Sequence, residues 1–340
     1  MNRKVAHFMD RSVIRLASCM MRDGHQDHHD HPDQQANWRS YPRDLGSWDT
    51  LFALPEPMPD LDHCLGKPRW LGPVTHRSFH FDSPLQSPWT VNNRVAGNYF
   101  IGHDDDARER PAVLFLHGWN ASIAYYLNYC RTGHRLARRG IHCALVNMPY
   151  HVQRKPNRWN EYFLTENIAH TAQAVQQAVI ESRIILRWLR AHHRGPVGVW
   201  GISLGGWIAS ILACVESELD FAVLMTPAVR LDKQIWELQF LKAMKQSFLD
   251  QGATREDIER IAMPLLPKFH QPTLERDRIL IIQALYDQFL GTDTVNELWQ
   301  AWGQPRIERY NHGHISILMD AGVLQTACDF IKTMQRHPAK

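Results

Sequence analysis

Val197-Gly198-Val199-Trp200-Gly201-Ile202-Ser203-Leu204-Gly205-Gly206 is the stretch whose reading decides the fold. A short apolar run of this kind suits a strand covered on both faces. It turns sharply between Gly201 and Gly205 into a helix that carries Leu204, Ile208, Ile211, Leu212 and Val215 on one face. Glycines two before and two after Ser203 relieve the clashes of so tight a strand-to-helix turn, and the turn lifts the serine oxygen above the sheet edge. Ser203 is therefore the candidate nucleophile.

The same alternation extends in both directions. Upstream, Ala112 to Leu116 and His142 to Met148 read as buried strands, with a helix expected from about Ser122 to Arg139 between them. A long helix is expected from about Thr165 to His193, ended by Gly195-Pro196. Val74 to Phe81 and Arg94 to Ile101 read as an earlier, hairpin-like pair of strands. Downstream come a strand at Phe221 to Met225, another at Ile279 to Leu285, a helix near Thr292 to Trp302, a short strand at Arg306 to Tyr310 and a final helix from about Ile315 to Met334. Such alternation implies an α/β fold, a doubly wound, mainly parallel sheet. It stops between about Ala228 and Glu275, where helical patches and three prolines suggest an inserted helical cap. The expected organisation is an N-terminal extension over 1–73, a core over 74–227 and 276–340, and a cap insertion over 228–275.

A serine nucleophile needs a base, and the base an orienting acid. Asp287 follows the strand ending at Leu285, and His314 follows the strand ending at Tyr310. Ser203, Asp287 and His314 thus each lie past the carboxyl end of a strand, the edge where open α/β sheets build their sites. Asp293 is the alternative acid. His312 shares the short loop of His314 but lies nearer the strand end, so a local hydrogen-bonding role suits it better. Oxyanion donors are expected at the backbone N–H groups of Leu204, just after the nucleophile, and Trp119, in the His117-Gly118-Trp119-Asn120 loop. His117 itself suits a loop-holding role. Trp119, Tyr150, Trp159 and Trp207 cluster around the loops at the same edge; Tyr150 and Trp207 are the candidate substrate-binding residues, with packing as the plain alternative. Arg154, Lys155 and Arg158 read as a solvated basic loop, or else as a site for a carboxylate or phosphate.

The remaining features narrow the partners. A net charge of +3 on 340 residues is too small to make nucleic acid or an anionic membrane the main partner. No apolar stretch is long enough to cross a bilayer. Arg3, Lys4, Asp10, Arg11 and Arg15 interrupt any secretory apolar segment, so a cytoplasmic location is the expectation, with an amphipathic organelle leader as the alternative. The six cysteines form no C-x-x-C pair and read as buried thiols. The run His25-Gln26-Asp27-His28-His29-Asp30-His31 contains metal-ligating residue types without the separated pairs of a folded site, so a solvated loop is expected. No metal and no cofactor is expected, and residues 1–31 are expected to be dispensable for turnover.

Gly201-Ile202-Ser203-Leu204-Gly205-Gly206, His117-Gly118-Trp119, Asp287 and Gly313-His314 together resemble the α/β-hydrolase superfamily over about residues 74 to 335. Pro149-Tyr150-His151, with Arg154, Pro156 and the long N-terminal extension, resembles a poorly characterised bacterial subfamily, related to a eukaryotic α/β-hydrolase-domain subfamily. The resemblance implies esterase, lipase, thioesterase or peptidase chemistry on a small-molecule acyl substrate, with no choice among them and no oligomeric state. Hydrolysis of an ester or thioester through an acyl-enzyme leads. Amide or peptide hydrolysis and a non-catalytic binding role are the alternatives.

Overall fold

The structure is a computed structural model. It describes residues 1–24, 38–41, 45–102, 107–119, 125–156, 162–238 and 241–336, and of residues 16–24, 40, 107 and 126 the backbone alone. Helix α1 spans Arg3–Gly24 and a single turn, α2, spans Trp48–Leu51. Strands β1 (Arg69–Trp70), β2 (Val74–Asp82) and β3 (Arg94–Gly102) follow, then β4 (Ala112–Leu116), α3 (Arg131–Ala137) and β5 (His142–Val146). Next come α4 (Ile168–His192), β6 (Val197–Ile202), α5 (Leu204–Val215) and β7 (Phe221–Met225). Helices α6 (Leu231–Glu237), α7 (Lys242–Asp250) and α8 (Arg255–Ala262) separate β7 from β8 (Ile279–Ala284). The chain continues through α9 (Asp293–Ala301), β9 (Arg306–Tyr310) and α10 (Ala321–Thr333).

Among the described residues nine strands form one sheet in the order β1-β2-β3-β5-β4-β6-β7-β8-β9. The strands from β4 to β9 run parallel, while β1, β2 and β3 pair antiparallel at one edge. Every residue of β4, β5, β6, β7 and β8 is buried, as apolar strands sandwiched between two helical layers must be. Alternate residues feed opposite cores. Leu114, Ala144, Val199, Leu224 and Ile281 face the layer of α4, α5 and α9. Val113, Phe115, Leu145, Trp200, Val223 and Ile282 face the layer of α3 and α10. The fold is the doubly wound, mainly parallel sheet that the alternation of strands and helices implies.

Three features depart from the pattern read in the sequence. The first helix after β4 is preceded by a π-helical turn at Tyr125–Cys130, so regular α-helix begins only at Arg131. The final helix starts at Ala321, not near Ile315, because Asp320 caps it by accepting from the N–H groups of Gly322 and Val323. The N-terminal region is more regular than its composition suggests. Trp48 and Phe52 pack into the core on the α4 side, as their apolar stretch in the sequence allows; the departures are that Leu61 joins them, β1 extends the sheet, and α1 is a helix of 22 residues. The charges of α1 lie mostly on its outer face, while Ala6 is fully buried and Val13 and Ile14 pack against the core.

The basic loop after β5 is not solvated at Arg154. That side chain is fully buried and forms a two-pronged pair with Glu181 of α4, at 2.6 and 2.7 Å. It also donates to the carbonyls of Asn92 and Asn147, at 3.0 Å each. Lys155 is half-buried; Arg158 lies outside the described residues. The pair clasps a strained segment, in which Tyr150 and the β-branched Val152 both take positive φ, at 61° and 53°. Arg154→Ala would leave the Glu181 carboxylate buried without its cation, a change that typically costs about 3–5 kcal/mol. Urea denaturation of purified protein should show a loss of that size.

Candidate active site

The turn at Ser203 works because the residues two before and two after it, Gly201 and Gly205, lack side chains. Ser203 adopts φ 54° and ψ −114°, a conformation that L-residues rarely hold. A Cβ on Gly201 would lie 2.1 Å from the Gly205 carbonyl oxygen, and one on Gly205 would lie 2.3 Å from the Leu116 carbonyl oxygen. The glycines thus let α5 close onto the end of β6 and onto the β4 loop. The Ser203 N–H donates to the Met225 carbonyl at 3.0 Å, and its own carbonyl accepts from Ala228 at 3.0 Å, so both flanks of the turn are tied to β7 and its loop.

Ser203, Asp287 and His314 converge at the carboxyl edge of the sheet. The Ser203 hydroxyl lies 3.0 Å from His314 Nε2, and His314 Nδ1 lies 2.7 Å from Asp287 Oδ2. Because Nδ1 faces a carboxylate oxygen, it carries the ring proton, which leaves Nε2 free to accept from the serine. Asp287 is fixed in turn by the N–H groups of Phe289 and Leu290, which donate to its other oxygen at 2.8 and 2.9 Å. The Phe289 ring stacks on the imidazole with centroids 4.9 Å apart. Burial alone would push the His314 imidazole down. The Asp287 charge and hydrogen bond, with the charge of Asp10 behind them, outweigh burial and hold the imidazole above its ordinary value of 6.5.

His312 does not point at Ser203. Its Nε2 pairs with Asp320 at 2.8 Å and its Nδ1 lies 3.3 Å from the Ser316 hydroxyl. Asp293 opens α9. In the β4 loop, the Met148 N–H donates to His117 Nε2 at 3.1 Å, so the proton on His117 Nδ1 goes to the Gly118 carbonyl, 2.8 Å away. His117 is a strut of that loop. A Cβ on Gly118 would lie 3.4 Å from the Ser203 Cβ, which sets this loop directly beside the serine. Leu204 is the first residue of α5, so its N–H belongs to a helical first turn that has no internal acceptor. Trp119 is half-buried on the α4 side; Asn120 lies outside the described residues.

Trp207 lines an apolar cavity between α4 and α6–α8, together with Ile168, Ile235, Phe248, Ile258 and Leu265. Its indole donates to the Leu265 carbonyl at 3.0 Å. Tyr150 is not in that wall: it is buried against the rings of Trp89 and His170. Trp159 and the His25–His31 run lie outside the described residues.

One residue near the site has no counterpart in the motif reading. Asp10 of α1 is fully buried, and its carboxylate accepts from the N–H groups of Gln288, His314 and Ile315, at 3.1, 2.9 and 3.1 Å. The sequence signal was an acidic residue on the same helical face as Ala6, Val13 and Ile14, where an apolar one is the rule. Among the described residues no helix is long and apolar enough to cross a membrane.

Comparison with known proteins gives the same fold. Residues 92–228 match the family model described as alpha/beta hydrolase domain containing 18. That match contains the β4 loop and the Ser203 turn and stops short of Asp287 and His314. An uncharacterized protein of Mycobacterium tuberculosis is 28% identical over 282 residues, covering 78% of this chain and 65% of that protein, so the chain spans about two thirds of this relative's length. Among solved structures, an acetyl xylan esterase from a Paenibacillus species superposes with TM-score 0.64 at 14% identity, over 87% of this chain and 98% of that one. An acylaminoacyl peptidase of Pyrococcus horikoshii superposes with TM-score 0.56 at 14% identity, over 79% of this chain and 43% of the other.

The electrostatics of the site can be checked directly. The His314 imidazole should titrate above 6.5 in a histidine NMR titration, with its signal assigned by its loss in His314→Ala. In Asp287→Asn the midpoint should fall, because the flanking negative charge that favours the imidazolium is gone. Sheet order, the strand-turn-helix at Ser203, the family match over residues 92–228 and the structural likenesses agree: the chain has the α/β-hydrolase fold.

Proposed function

We propose that this protein is a serine hydrolase that cleaves an ester or thioester through an acyl-enzyme. The observation that carries the reading is the unbroken hydrogen-bond chain from Ser203 through His314 to Asp287, at 3.0 and 2.7 Å. In this mechanism Ser203 Oγ attacks the acyl carbonyl as His314 Nε2 takes its proton. Asp287 holds the ring in the tautomer that leaves Nε2 free and steadies the imidazolium that forms. The N–H groups of Leu204 and Trp119 receive the developing oxyanion. Collapse expels the alcohol or thiol, which takes its proton from His314, and water repeats the sequence to release the acid. Every step uses protein groups, so the reading assigns no role to a metal or cofactor.

We read residues 228–275 as a cap beside this site, and the apolar cavity under α6–α8 as the place for the acyl chain. Trp207 supports the reading: it stands one helical turn beyond Ser203 and lines that cavity. Tyr150 acts on this view as packing behind the site. Esterase and peptidase names among the structural likenesses accord with hydrolysis, and the small apolar cavity favours an acyl ester over an extended peptide.

A fluorophosphonate should label wild-type protein at Ser203, read by intact mass and peptide mapping, and should leave folded Ser203→Ala unmodified. Labelling that persists in Ser203→Ala would refute the assignment, and a wild type that resists the probe would favour a binding role.

The two histidines separate as well. A positioned general base is typically worth about 10²–10⁴-fold. His314→Ala should lose at least that much turnover on p-nitrophenyl esters, whereas His312→Ala, which loses its bond to Asp320, should lose far less. The reverse order in purified, folded variants would reassign the base.

A further inference from the structure

The mechanism above leaves α1 unused, yet α1 places a buried carboxylate on the backbone of the catalytic base. We propose that Asp10 is a positioning residue that clamps the Asp287 loop and the His314 loop into register, making α1 part of the hydrolytic site; the proposal rests on the serine-hydrolase reading.

The argument starts from what it costs to bury an acid. Asp10 is fully buried, and its hydrogen-bond partners are three backbone N–H groups. A carboxylate without a cation is expensive in such a place unless hydrogen bonds replace its lost water. Packing of α1 alone would be served better by an aliphatic residue at this position. The acid therefore has to be explained by what it holds. Its Oδ2 takes the N–H of Gln288, the neighbour of Asp287, and the N–H of His314 itself. Its Oδ1 takes the N–H of Ile315. One side chain thus spans two loops that enter from β8 and β9, at the residues that flank the acid and carry the base. Gly313 makes room: a Cβ there would lie 2.7 and 2.8 Å from the two carboxylate oxygens. Other residues in the first half of α1 reach the same loops. Arg11 donates to the Gln288 side chain at 3.0 Å, and Arg3 and His7 approach the Tyr286 ring.

Two consequences follow for the reaction. The Ser203–His314–Asp287 chain depends on where the two loops sit, and misplacement by about 1 Å can cost about 10²-fold in rate. The Asp10 charge also favours the imidazolium that forms during attack. Among the described residues, the charged or titratable groups around His314 are Asp287 on the β8 loop, Asp10 on α1, and the His312–Asp320 pair on its own loop. The first two act on His314 with the same sign. The expectation that residues 1–31 are dispensable is thereby reversed for α1.

The test is Asp10→Asn in the full chain, near in shape but with one acceptor oxygen for three N–H donors. Fluorophosphonate labelling of Ser203 is followed against probe concentration and pH, beside wild type. We expect the maximal labelling rate to fall at least ten-fold, with half-saturation changed less than two-fold. The acid limb should move to lower pH, since loss of the charge lowers the His314 midpoint. An unchanged rate and limb would overturn the proposal. So would a slower rate with an unmoved limb and a lowered melting temperature, the mark of a merely structural residue. If Asp10→Asn does not fold, Gly313→Ala displaces the carboxylate from the other side, and an unmoved limb there overturns the proposal equally. Failure of wild type to label would instead sink the serine-hydrolase reading itself, which keeps the two failures apart.

Discussion

The structure depends on one backbone conformation, the left-handed turn at Ser203. A serine reaches it only where the surrounding chain is bare, and Gly201 and Gly205 supply that bareness on both sides. The same bareness lets α5 press against β6 and the β4 loop. From this follow the close seating of α5 on β6 and the position of the β4 loop beside the serine. The strain is local and is offset by the ties of Ser203 to Met225 and Ala228, groups of the next strand and its loop.

Around that turn the protein manages buried charge in two ways. At Arg154 and Glu181 it pairs opposite ions deep beneath a strained loop and completes the guanidinium with carbonyl oxygens. At Asp287 and Asp10 it solvates each carboxylate with backbone N–H groups and lets one imidazole sit among both. The first arrangement is static. The second favours a positive charge on the His314 imidazole against the burial that opposes it.

Most of the sheet was legible because its strands are short apolar runs, each closed by glycine or proline or by the polar residues of the next loop. Ser203, Asp287 and His314 were legible through their order and their places after strand ends, with the choice of His314 over His312 resting on His312 lying nearer the strand end. Asp10 was not, since its three partners are backbone groups that carry no residue identity, and since Arg3, Lys4, Arg11 and Arg15 mask the apolar face of α1. Arg154 was not, because its partner Glu181 lies within α4, where a buried acid looks like any helical glutamate. The start of α10 could have been read from Asp320 as a cap, but the apolar residues Ile315, Ile317 and Leu318 continue the helical period past the true break.

The bond from His314 to Asp10 spans 304 positions of chain. During synthesis α1 therefore emerges long before the loops that receive it exist. Until β8 and β9 have joined the sheet, its buried face has no partner and its acid stays hydrated. Docking of the helix onto the His314 loop therefore waits on the last strands, in a contact of high sequence separation. The strand-turn-helix at Ser203 is tied instead to Met225 and Ala228, partners far closer in sequence than those of Asp10. A chain that ends before β9 lacks His314, so the hydrogen-bonded line from Ser203 to Asp287 exists only in the finished fold.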